Sequence, residues 1–100
     1  MLKIKDNVNL KELEKYGYKQ GQDMCNVSYS AYGKVFEVEY SEKLSDMLID
    51  IVEINKKDKK IELSRSSKKS CRSFINDDEK ELKKYIDDLI KADLVEKVDE

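Results

Sequence analysis

The chain has 100 residues, 42% charged and 39% hydrophobic, with 20 Lys and Arg against 22 Asp and Glu and neither histidine nor proline. That length allows one domain with one core and no separate catalytic lobe, and the near-balanced charge gives no global instruction about partners. Without histidine the commonest general base and metal ligand is missing, and Ser-His and Cys-His triads are excluded.

The start, Met1-Leu2-Lys3-Ile4-Lys5-Asp6, lacks the apolar middle of a signal peptide, and no apolar run reaches about 18 residues. A cytoplasmic protein with no membrane association is therefore expected. Leu2 and Ile4 alternate with Lys3 and Lys5, which predicts a brief N-terminal strand. Asn9 is a helix start: Glu12 sits where a capping-box partner reaches back, and Val8 can staple onto Leu13. Leu10, Leu13 and Tyr16 then share a face over about two turns, and Gly17 supplies the left-handed closing residue.

Cys25, Val27, Tyr29 and Ala31 alternate with Asn26, Ser28, Ser30 and Tyr32, the pattern of a strand with one wet face. Gly33 is expected to turn this strand into a second one over Lys34–Tyr40, making a hairpin. There Phe36, Val38 and Tyr40 point one way, and Val35, Glu37 and Glu39 the other. After a connection at Ser41–Asp46, the stretch Met47–Ile54 is apolar on both faces and belongs at the sheet centre. Asn55–Asp58 has turn composition and leads into an alternating strand over Lys60–Arg65.

Ser64–Ser73 holds five serines and four basic residues, a loop or frayed strand in expectation. Asn76 with Glu79 reads as a second capping box, with Asp77 and Asp78 at the positive end of the helix dipole. The helix is expected to run to about Ala92, with Leu82, Tyr85, Ile86, Leu89 and Ile90 as its apolar stripe. Leu94, Val95 and Val98 can add a last turn or short strand. The expected fold is α+β: a mostly antiparallel meander of about four strands, a short N-terminal helix, and a C-terminal amphipathic helix covering one sheet face.

No phosphate-binding loop, EF-hand loop or zinc spacing is present, and no cofactor is expected. Cys25 and Cys71 are the only cysteines and form no CxxC pair. Free thiols in a reducing compartment fit them, with a Cys25–Cys71 disulfide as the alternative. Glu37 and Glu39 form a carboxylate pair on one predicted strand face. Such a pair can hold a divalent cation or share a proton, against the plainer reading of a solvated strand face.

Two surfaces are candidates for function, with an unpaired strand edge as the alternative place for a protein partner. The first is a protein-binding patch of Tyr32 with Ser28, Ser30 and Asn26, an aromatic among small polar residues on the wet face. The second is a basic band over residues 56–72. Lys56, Lys57, Lys59, Lys60, Arg65, Lys68, Lys69 and Arg72 stand there against Asp58 and Glu62, a local charge of +6 between flanks of −3 and −5. That band can neutralise nucleic-acid phosphates, or it can discourage edge-to-edge strand association.

The capped Asn9–Gly17 segment, the charged meander and the ending Tyr85-Ile86-Asp87-Asp88-Leu89-Ile90-Lys91-Ala92-Asp93-Leu94-Val95-Glu96-Lys97 resemble small uncharacterised phage and prophage proteins of AT-rich Gram-positive bacteria. The resemblance implies a non-enzymatic accessory factor that acts by binding a protein, such as a regulator or inhibitor of a host system. A nucleic-acid-binding protein using 56–72 is the alternative.

Overall fold

The computed structural model describes residues 1–23, 27–69, 73–76 and 78–98, with backbone alone at 23 and 73–76. Strand β1 is Leu2–Ile4. Leu10–Tyr16 follows as a 3-10 helix, with the Asn9 carboxamide accepting from the Lys11 N–H and Gly17 closing it at φ 90°. The reason for the tighter helix lies in the spacing: Leu10, Leu13 and Tyr16 recur every three residues, which three residues per turn aligns on one face. All three pack on the core.

Next come β2 (Lys19–Gln20), β3 (Ala31–Ser41), β4 (Asp46–Asn55), β5 (Ile61–Ser67) and β6 (Ser73–Asn76). They form one antiparallel sheet in the order β2-β3-β4-β5-β6, a meander with β4 at its centre as its two apolar faces require. Helices α1 (Glu79–Tyr85) and α2 (Asp87–Lys91) precede β7 (Val95–Lys97), which pairs with β1 in a second, two-stranded sheet.

One face of the large sheet carries Tyr32, Val52, Ile54, Ile61 and Leu63, packed against Leu82, Ile86 and Leu89 of the helices, Ile4 of β1 and Leu13. The opposite face carries Ile49, Ile51 and Ala31 beneath Val27. At the rim of the helix-covered face Asp50, only 3% exposed, receives two hydrogen bonds from Arg65, at 2.7 and 3.1 Å, and one from the Tyr85 hydroxyl at 2.6 Å. This network ties β4, β5 and α1 together. Burial alone raises the Asp50 pKa, but the bonds from Arg65 and Tyr85 outweigh it and hold the carboxyl below its ordinary value. Burial and the same carboxylate push Tyr85 up to about 12.

Several expectations need correction. Gly33 is no turn: β3 runs straight through it, paired with Lys19 on one side and Glu53 on the other. The glycine serves a close approach instead, since a Cβ there would lie 2.5 Å from a Val27 methyl. The C-terminal helix is broken at Ile86, whose φ of −107° and ψ of 18° leave helical geometry. Its N–H still reaches the Leu82 carbonyl and its carbonyl still accepts from Ile90, so the stripe stays aligned except at Ile90, which is exposed. Asn76 ends β6, and Asp78 caps α1 by accepting from the Lys80 N–H. Cys25, Cys71 and Asp77 lie outside the described residues.

Candidate functional site

Tyr32 does not sit on a wet face. It is 5% exposed and belongs to the main core, with the Lys56 ammonium 5.5 Å above its ring. Period-two alternation places it with the serines only if 25–32 is one continuous strand. In fact the strand begins only at Ala31, and a turn at 29–30 resets the phase. Ser28 and Ser30 are exposed, their hydroxyls 2.9 Å apart, and they rim a cleft of about 240 Å³ with Glu53, Asn55, Asp58, Lys60 and Glu62. Burial, then the facing Glu62 carboxylate, raise the Glu53 pKa, against a backbone hydrogen bond from Ser28 that lowers it. Tyr29, read as an inward residue, is 79% exposed instead. Asn26 lies outside the described residues.

The basic band is divided between the two ends of β5. At one end Lys56 donates to the Gln20 side chain, and Lys59 bridges the carbonyls of Asp6 and Val8 at 2.9 and 2.7 Å. Lys57 and Lys60 share this turn, and Lys60 lines the cleft. At the other end Arg65 holds Asp50, Lys68 pairs with Glu37 at 2.8 Å, and Lys69 donates to the Ser45 carbonyl. Eight residues of extended chain put Lys60 and Lys68 roughly 26 Å apart. Arg72 lies outside the described residues. Several of these cations are thus committed to folding contacts, and the band forms no single patch.

Glu37 and Glu39 do not share a face. A bulge at Val38 sets Glu37 opposite Ile49 and Glu39 opposite Leu48, consecutive residues of β4 that point to opposite sides. Among the described residues no group of three or more His, Cys, Asp or Glu could hold a metal ion.

The bulge marks a change along β3. Its first three residues are buried, 34–36 are half-buried and 37–40 are exposed; Val38 is 39%, Tyr40 60% and Leu44 in the adjoining turn 56% exposed. Among the described residues, β3 is paired on its outer side only at Tyr32 and Gly33, by the two-residue β2. The ladder phase shows which groups the rest of that edge offers. The Lys56 N–H bonds the Ser30 carbonyl, so in an antiparallel pair residues 30, 32, 34 and 36 bond toward β4, and Val35 and Glu37 turn N–H and C=O outward. The bulge shifts the phase, so that Glu39 and Ser41 bond to β4 and Tyr40 faces out. Among the described residues nothing pairs with this backbone edge, which lies beside three exposed apolar side chains.

An unpaired strand edge is among the expected binding surfaces, but which edge stays open is not written in the sequence, because a bulge leaves no compositional mark and because the shortness of β2 depends on tertiary pairing. Glu37 and Glu39 flanking a valine were the available signal, since charges on a strand often mark an edge. Compared with known proteins, the chain matches no family model, no curated protein and no solved structure. No helix among the described residues is long and apolar enough to cross a membrane.

Proposed function

We propose that this chain is a non-enzymatic protein-binding module, acting in the cytoplasm, that takes up an extended segment of a partner protein along the outer edge of β3. The supporting observation is the outward N–H and C=O groups of Val35, Glu37 and Tyr40 beside exposed Val38, Tyr40 and Leu44. Main-chain hydrogen bonds to an added strand supply affinity, and neighbouring side chains supply selectivity. A phage-type regulator or inhibitor of a host system would work in this way, by occupying a segment that its target needs elsewhere. The division of the basic residues lends less support to the nucleic-acid alternative.

Tyr40→Pro tests the reading. Proline is tolerated on a strand edge where its missing N–H faces outward, so this variant keeps the β4 ladder and removes one outward donor. A defined protein retained from host lysate at moderate salt by the wild type and lost with Tyr40→Pro, at unchanged circular dichroism, supports strand addition. Retention by both forms, or by neither, overturns it.

A further inference from the structure

We infer that the segment taken up by β3 is basic: an extended peptide with lysine or arginine where it passes Glu37 and Glu39, and an apolar side chain against Tyr40. This rests on the strand-addition reading above. From Val35 to Glu42 the edge carries three carboxylates, Glu37, Glu39 and Glu42, and no basic residue. Lys68, the residue after β5, reaches Glu37, and Lys43 follows in the turn. Because the bulge sends Glu37 and Glu39 to opposite faces, an added strand meets a carboxylate whichever face a given side chain occupies, and opposite charges directly across strands are favourable.

A second copy of this chain fits the same edge poorly. Antiparallel self-pairing centred on Val38 sets Glu37 against Glu39 twice, and centring on Glu37 sets that residue against itself. A centre at Tyr40 avoids this but runs off the strand after Ser41, leaving too few paired residues for a stable ladder. A centre moved toward Val35 collides with β2 at Gly33.

Three short synthetic peptides test the inference, with identical alternate apolar positions and lysine, serine or glutamate between them. Each is titrated into the full-length protein while the backbone amide signals of β3 are followed by NMR. The lysine peptide should bind about five- to tenfold more tightly than the serine peptide, perturb the amides of Val35, Glu37 and Tyr40, and lose its advantage as salt is raised. Glu39→Lys should narrow or reverse the order. Equal affinity of all three peptides overturns the charge inference and leaves strand addition standing. No perturbation of β3 by any peptide overturns both, as do shifts centred on the Glu53–Glu62 cleft. A dimer in sedimentation that Tyr40→Pro dissociates overturns the basic-peptide proposal in favour of self-pairing.

Discussion

The two halves of the β3–β4 hairpin are held by different forces. At its root, Tyr32, Val52 and Ile54 lie in the main core and Ala31, Ile49 and Ile51 in the second cluster, so both faces of the sheet are covered. At its tip, polar groups form the attachments. Asp46 accepts from the Ser67 hydroxyl and from the backbone of Met47 and Lys69, Glu37 pairs with Lys68, and Lys69 holds the Ser45 carbonyl. Of the apolar side chains of the tip, Val38, Tyr40 and Leu44 stay outside, while Met47 and Leu48 are half-buried. The β3 side of the tip is thus anchored without burying Val38 and Tyr40, which leaves them free for another molecule.

The sharpest way to break this comparison is truncation in each region. Ile86→Ala removes a fully buried side chain that supports the root and should cost about 2–5 kcal/mol. Val38→Ala should stay within about 0.5 kcal/mol, as surface substitutions do. Chemical denaturation reads both, and similar losses would mean that the tip is packed as tightly as the root.

The ion pairs offer the next contrast. Asp50→Asn, at the buried network, should cost about 1–3 kcal/mol, whereas Glu37→Gln, at an exposed pair, should cost less than about 1. The folded pKa of Asp50 lies below its ordinary 3.8, so its contribution is complete above that value and is lost as pH falls through the folded pKa. The gap between wild type and Asp50→Asn in thermal midpoint should therefore close on acidification below 3.8. A gap that persists there would place the effect in packing.

Gly33→Ala locates where cover begins on the second face. Its Cβ would meet Val27 methyls at 2.5 and 2.7 Å, an overpacking cost of about 1–3 kcal/mol. Adding Val27→Ala should recover part of the loss, and no recovery would put the strain elsewhere.

The smallest effect separates two glutamates. Glu53 faces Glu62 across β4 and β5 in a partly buried cleft, and its pKa is raised in the folded state. Its charged form is therefore penalised on folding, and stability rises as pH falls through the folded value. Glu53→Gln should stabilise the protein at neutral pH by less than about 1 kcal/mol, the gain vanishing in acid. Glu39→Gln, on the exposed tip, should leave stability unchanged. A destabilising Glu53→Gln would assign that carboxylate a structural bond instead.

Local chemistry was legible along the chain wherever one residue type acts on its own neighbours. Asn9 and Gly17 bound a helix because an amide side chain and a left-handed glycine satisfy the groups that helix ends leave open. Met47–Ile54 announced a central strand because both of its faces are apolar, and Asn55–Asp58 announced the turn after it. The amphipathic stripe of Leu82, Ile86 and Leu89 foretold a cover for one sheet face. What tertiary structure alone decided was register and reach. Burial of Tyr32, the bulge at Val38 and the shortness of β2 depend on which strand lies alongside and for how many residues. Side-chain alternation repeats every two residues, so a single turn or bulge inverts every later inference about which face is wet, and only the partner strands record where that inversion falls.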